Sequence, residues 1–369
     1  MIIDVRHVRL VGYARLARLA RPARLACAIF AALLCGTTAW AQQNAAPAPP
    51  ADHKITLDVV VSPKSGPPVA DLQQQDFTLL DNNAPQTITS FKAVTGREAP
   101  IEVVVVIDAV NASYQTVSVA RPEILKFLRA EGGRLAYPVA LVLFTDKGTQ
   151  GLGNVSTDGN ALGAALDGAD VALRSITRAA GFYGATERFD LSIRTLGQLV
   201  SKMATVPGRK LMLWVSPGWP LLSGPRVDLD SKQQQEIFAN IVTLSTQLRQ
   251  ARVTLYNINP LGNSESLGAV SYYKDFVKGV SKPSQVAVGD LGLPVLATQS
   301  GGLVLNFNND VASLLRECLS DSAPYYEISF DPPPGDKRDE YHHLEIKLAK
   351  PGLTARTRQG YYAQPSQSN

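Results

Sequence analysis

The chain has 369 residues, 45% hydrophobic and 18% charged, a composition that excludes a disordered chain and supports a real buried core. There are 36 basic and 32 acidic residues, but six Arg and one Asp precede residue 42, so the remainder holds 30 basic against 31 acidic. That near-neutral balance argues against nucleic acid or an anionic membrane as partner, and the length allows about two domains.

The first 41 residues have the three parts of a secretory signal. Arg15, Arg18, Arg21 and Arg24 precede the apolar run Leu25 to Leu34, and Thr37 to Ala41 ends in a small-x-small site. Cleavage near Ala41 and export follow as expectations; an uncleaved N-terminal anchor is the alternative. No later stretch is apolar enough to span a membrane. Cys27 and Cys35 fall within the signal, which leaves Cys318 without a disulfide partner. Its helical spacing from Val311, Leu314 and Leu315 predicts a buried thiol. Residues 42–53 read as a Pro/Ala linker.

Short strands separated by turn residues follow: Ile55 to Val61, Val69 to Leu72, Phe77 to Leu80 and Ile88 to Val94. The segment 54–96 is too small for a stable core of its own. The Val/Ile run Ile101 to Ile107 is too short for a helix of ordinary length and predicts a buried strand, ending on Asp108. A helix is expected over Pro122 to Leu128, with Pro in its first turn. Further strands are expected at Val139 to Thr145, Lys210 to Val215, Val253 to Ile258 and Leu303 to Phe307. Helices are expected at Asn160 to Leu173, Glu187 to Met203, Lys232 to Arg249, Leu291 to Thr298 and Asp310 to Leu319. Alternation of strand and helix over 98–322 predicts an α/β domain with a doubly wound, mostly parallel sheet. Tyr325 to Phe330, His342 to Leu348 and Leu353 to Tyr362 read as strands again. Residues 324–363 are expected to pack with 54–96 as a smaller β module.

Three stretches carry a family resemblance: residues 57–91, Val103 to Asp108, and P-G-R-K-L-M-L-W-V-S-P-G-W-P at 207–220. Through them the α/β part resembles a von Willebrand factor type A (VWFA) domain. Over about 55–363 the chain resembles the VWFA-related secreted proteins common in Acidobacteria. The resemblance implies a Rossmann-like sheet and a metal-ion-dependent adhesion site on three loops. That site takes Asp-x-Ser-x-Ser after the first strand, a Thr before a central helix and a later Asp. Asp108 and Thr186 match, whereas Val110, Ala112 and Ser216 stand where two serines and an aspartate belong. Asn111 and Ser113 offer oxygens one place further on.

One carboxylate among neutral oxygens makes a poor Mg2+ or Ca2+ site. The expectation is no cofactor, with Asp108 and Thr186 acting as helix or loop caps. Metal binding at Asp108 and Thr186 is the alternative. A hydrolase is the rival class, but Ser216 lacks the first glycine of a nucleophile elbow and has no placed base. His342 and His343 are strand neighbours that point to opposite faces, so they do not chelate together.

These readings describe an exported, non-enzymatic binding module with a degenerate adhesion site. Its partner is expected to be a protein or cell-surface ligand. The face expected to bind it comprises the loops Asp108 to Ser113, Asp146 to Gly153, Gly181 to Thr186 and Ser216 to Pro225. Asp108, Asn111, Ser113, Thr186, Ser216 and Trp219 are the candidate contact residues, with Trp219 either an exposed aromatic anchor or packed under its own loop.

Overall fold

A computed structural model describes residues 54–96, 101–169, 182–220, 228–262 and 272–366. The signal segment, the Pro/Ala linker and residues 181 and 221–225 of the expected binding loops lie outside the described residues.

The described chain contains strands β1 (Ile55–Pro63), β2 (Phe77–Asp81), β3 (Ala84–Gln86), β4 (Ser90–Val94), β5 (Ile101–Asp108), β6 (Arg134–Thr145) and β7 (Gly148–Asp158). They are followed by β8 (Arg209–Val215), β9 (Val253–Ile258), β10 (Val304–Leu305), β11 (Tyr325–Phe330), β12 (Glu340–Leu348), β13 (Leu353–Arg356) and β14 (Gly360–Ala363). Six helices lie between them: α1 (Tyr114–Leu128), α2 (Gly159–Gly168), α3 (Phe182–Met203), α4 (Ser231–Gln250), α5 (Leu293–Gln299) and α6 (Val311–Ser320).

The central sheet runs in the order β10-β9-β8-β5-β6-β7. Its strands are parallel except for β7, which pairs antiparallel to β6 at one edge. Counted from β5, the order is 3-2-1-4-5-6, that of a doubly wound α/β fold, and the winding reverses between β5 and β8. The apolar run of β5 exists because both of its faces are covered. Val103, Val105 and Ile107 pack with α1, α2 and α6 on one side. Val104 and Val106 pack with α3, α4 and α5 on the other. Cys318 is buried on α6 within the first of these layers, as its spacing predicts.

Several elements differ from their sequence reading, and the segment Val69 to Leu72, expected as a strand, lies between β1 and β2 without forming one. Helix α1 starts at Tyr114, because the Ser113 side chain accepts from the Thr116 amide and caps it, so Pro122 falls inside the helix. Strand β7 replaces the loop expected near Gly151. Its residues are mostly exposed and only Leu152 is buried, so it carries no alternating apolar signal. The expected strand over 353–362 is split into β13 and β14, which join different sheets.

The flanking segments form two four-stranded sheets, β13-β1-β11-β4 and β14-β12-β2-β3. β11 runs antiparallel to both β1 and β4, and β12 antiparallel to β2. Ile55, Leu57, Val59, Phe77, Tyr326, Ile328, Phe330 and Leu344 share the core of these sheets. Within it, His342 Nδ1 sits 2.8 Å from Asp81 Oδ1, and the Tyr361 hydroxyl donates to Asp81 Oδ2 at 2.6 Å. His343 is exposed on the opposite face.

The Asp81 hydrogen bond raises the His342 pKa above its ordinary value of 6.5; burial opposes the rise, and Glu340 and Asp336 add to it. A raised folded-state pKa stabilises the fold fully below the unfolded value, and this contribution fades as pH climbs through the folded one. Thermal melts across pH 5.5 to 8.5 are therefore expected to show wild type losing its advantage over His342→Gln as pH rises. A constant difference between the two would contradict this coupling.

Candidate functional site

The carboxyl ends of β5 and β8 flank the place where the winding reverses, the position at which open α/β sheets offer a crevice. Asp108 is the last residue of β5 and is 0% exposed. It continues the Val104–Val106 face, so its side chain meets the layer built by α3 and β8. Oδ1 accepts from the amides of Val110 and Asn111, each at 2.9 Å. Oδ2 accepts from Asn111 Nδ2 and from the Trp214 indole Nε1, again at 2.9 Å each. A carboxylate has about four acceptor positions, and here four N–H donors fill them.

Burial pushes the Asp108 pKa up, while the hydrogen bonds from Asn111 and Trp214 and the nearby Ser216 hydroxyl pull it back. Each of the four hydrogen-bonded donors is an N–H, which satisfies a carboxylate and offers nothing to the proton of a neutral acid. Asn111 Nδ2 also donates to Ser192 Oγ of α3 at 2.9 Å, tying the loop after β5 to that helix.

Trp214 is 0% exposed and lies edge-on to Phe144, with ring centroids 5.7 Å apart, and to Trp219, at 5.5 Å. Trp219 is itself buried, which overturns the exposed anchor and bears out the alternative of packing under its own loop; the loop after β8 folds its ring back onto Trp214. Its indole Nε1 lacks a hydrogen-bond partner among the described residues. Ser216 is fully buried, and its Oγ accepts from the Gly218 amide at 3.1 Å. Gly218 has a φ of +113°, a left-handed conformation that glycine adopts without strain.

The structure brings Asp108, Asn111, Ser216 and Trp219 together around Trp214. Ser113 is an exposed helix cap whose Oγ also lies 2.7 Å from Thr116 Oγ1. Thr186 lies in the second turn of α3, which starts at Phe182, so it is not the cap of that helix. Asp108 caps its own loop through the Val110 and Asn111 amides, as expected.

Three contributors escaped the sequence reading. Trp214 looks like one more apolar strand residue, and only strand register places its N–H beside Asp108. Ser192 is a polar residue on the buried face of an amphipathic helix, a signal that was legible. Tyr114 follows the cap of α1 and is 59% exposed, a large aromatic presented to solvent just beyond the loop after β5.

The donor set does not fit a hard divalent cation, which needs several oxygens with lone pairs to spare. Val110 and Ala112 bring none, the Asp108 oxygens already receive four N–H groups, and the Ser113 and Ser216 hydroxyls serve backbone amides; Asn111 Oδ1, buried without a hydrogen-bond partner among the described residues, is a single neutral oxygen with lone pairs free. Among the described residues no group of three or more His, Cys, Asp or Glu is placed to hold a metal.

No protein-family model matches the sequence, and no curated protein is similar to it. Similar solved structures include proximal thread matrix protein 1 from the mussel byssus, at 12% identity over 66% of this chain and 51% of that one, with a TM-score of 0.37. The chain thus spans about half the length of that protein. The manganese-loaded TRAP protein of Plasmodium vivax is 11% identical over 73% of this chain and 96% of that one, at a TM-score of 0.32. The SpRpn10 VWA domain is 12% identical over 59% and 95% of the respective chains, at 0.28. Likeness at this level carries no weight for function, and the fold stands on its own strand order and register.

Asp108→Asn places an NH2 group against N–H donors and forfeits charge-assisted hydrogen bonds. It is expected to lower stability by about 3 kcal/mol, since each such bond contributes roughly 1.5–3 kcal/mol. Urea unfolding checks this, and a variant as stable as wild type would contradict the structural role of Asp108.

Proposed function

We propose that the chain is an exported, non-enzymatic binding module of the von Willebrand type A kind, which engages a protein or cell-surface ligand without a metal ion. The observation that carries this reading is the reversal of winding between β5 and β8. It gathers the loops after β5, β6 and β8 at one end of the sheet, where ligands of open α/β folds bind. Rigid strands presenting variable loops make a surface suited to recognition.

Within that surface the Asp108 oxygens are consumed by the protein itself, while Asn111 Oδ1 and Trp219 Nε1 are buried without a partner among the described residues. Asp108 answers N–H donors, so contact with a ligand falls to exposed groups around it. Tyr114, at the start of α1, has the exposure and the amphipathic character of an interface anchor.

Two observations favour binding over hydrolysis. The Ser216 hydroxyl lies within its own turn against Gly218, and His342 is engaged with Asp81 inside the flanking sheets. Nucleophilic catalysis requires serine and base within hydrogen-bond reach of each other. The family resemblance of residues 103–108 and 207–220 supports the type A assignment, and the N-terminal signal pattern supports export. Among the described residues no helix is long and apolar enough to cross a membrane.

Capture from native envelope extract tests the proposal, using wild type and Tyr114→Ser with and without EDTA. The same partner is expected with or without the chelator, and Tyr114→Ser should weaken capture roughly tenfold, the loss of a moderate hot spot. Capture abolished by EDTA would establish metal-dependent binding instead. N-terminal sequencing of the native protein is expected to begin at Gln42; retention of residues 1–41 would show an anchored form.

A further inference from the structure

A small polar cavity of about 10 Å3 lies at the joint between the flanking sheets and the central sheet. Such a volume admits one occupant of about water size. Asp58 of β1, Arg249 at the end of α4, Arg252 in the following turn, and Thr357 and Arg358 between β13 and β14 all line it.

The charges around this cavity are unevenly matched. Both oxygens of Asp58 accept from the Arg252 guanidinium, which also donates to Glu327 Oε1 at 2.7 Å. Arg358 is 8% exposed and its guanidinium makes no hydrogen bond or ion pair among the described residues. Thr357 Oγ1 is likewise buried without a hydrogen-bond partner. Burial and the positive charge of Arg249 pull the Arg358 pKa down to about 9, which still leaves the group charged at neutral pH. Asp58 attracts the guanidinium across the cavity but is shared with Arg252, and a buried charge that is only partly compensated is unfavourable. Water of the same size would accept its hydrogen bonds and add no counter-charge.

We propose that this cavity binds one monovalent inorganic anion of halide size, held by the Arg358 guanidinium and the Thr357 hydroxyl. The anion adds to the counter-charge of Asp58, whose two oxygens are already hydrogen-bonded by Arg252. It also fixes the segment between β13 and β14 against β1. That segment is already held by the Gln359 amide, which donates to the Gln299 carbonyl at 3.1 Å. Its backbone passes so close to Gly301 that a Cβ there would lie 2.7 Å from the Thr357 carbonyl carbon. The joint thus admits a bare ion where it would not admit a larger ligand.

The test compares thermal melts in sodium chloride and sodium gluconate at equal ionic strength, together with chloride-35 NMR line width. Chloride is expected to raise the wild-type melting temperature saturably, by roughly 3 °C at ten times its dissociation constant. The chloride-35 line should broaden in proportion to protein. Arg358→Gln should abolish both effects and Thr357→Val should weaken them. Equal wild-type melts in the two salts with no broadening would overturn the proposal and leave water as the occupant. An undiminished chloride response in Thr357→Val and Arg358→Gln would also overturn it, as a general salt effect. Should Arg358→Gln fail to fold, Thr357→Val and the wild-type line width decide alone.

Discussion

A carboxylate taken wholly out of water must find a hydrogen-bond donor for each lone pair, and Asp108 meets that demand with four N–H groups. The constraint is costly to violate, because an unmatched buried charge destabilises by several kcal/mol. Its consequence is positional. The donors come from the loop after β5 and from β8, with Asn111 linking onward to α3. One side chain therefore ties together two strands and a helix at the place where the sheet's winding reverses. Phe144 and Trp219 then pack on Trp214, the donor that bridges β8 to β5. The loops beyond this cluster can vary in sequence without loosening the strand ends beneath them.

How much of this could be read from the chain depends on how local the cause is. The runs in β5, β8 and β9 are apolar on both faces, and that alone marks buried parallel strands. Cys318 and the buried face of α6 follow from 3.6-residue spacing. β7 was missed because an exposed edge strand needs no apolar alternation. The start of α1 was missed because Pro122 outweighed the Ser113 cap in the reading, although the cap decides the boundary. Thr186 was placed before α3 rather than within it because nothing local marks where that helix begins.

The site divides in the same way. Asp108 at a strand end was legible, as was its role in capping the following turn. Its pairing with Trp214 was not, since 106 residues separate them and only the β5–β8 register brings them together. An exposed Trp219 was one of two readings because two flanking prolines suggest a projecting loop, yet its ring is drawn inward by the aromatic surface of Trp214. Long-range arginine contacts such as Arg252 with Asp58 and Glu327, or Arg209 with the Asp321 carbonyl, leave no local pattern at all. The Arg252 contacts join the flanking sheets to the central one, and the polar cavity beside Arg358 belongs to that same joint.

The central claim is that Asp108 is a structural acceptor whose lone pairs are spent on the protein. The Trp214 indole N–H reports on this directly, because any cation drawn to Asp108 Oδ2 must displace or polarise that bond. In a nitrogen-15 spectrum the chain has three tryptophan side chains to assign. The Trp214 indole resonance is predicted to stay fixed as Mg2+, Mn2+ or Ca2+ is added to millimolar levels. A saturable shift or paramagnetic broadening confined to Trp214 and Asn111 would contradict the account and restore Asp108 as a metal ligand.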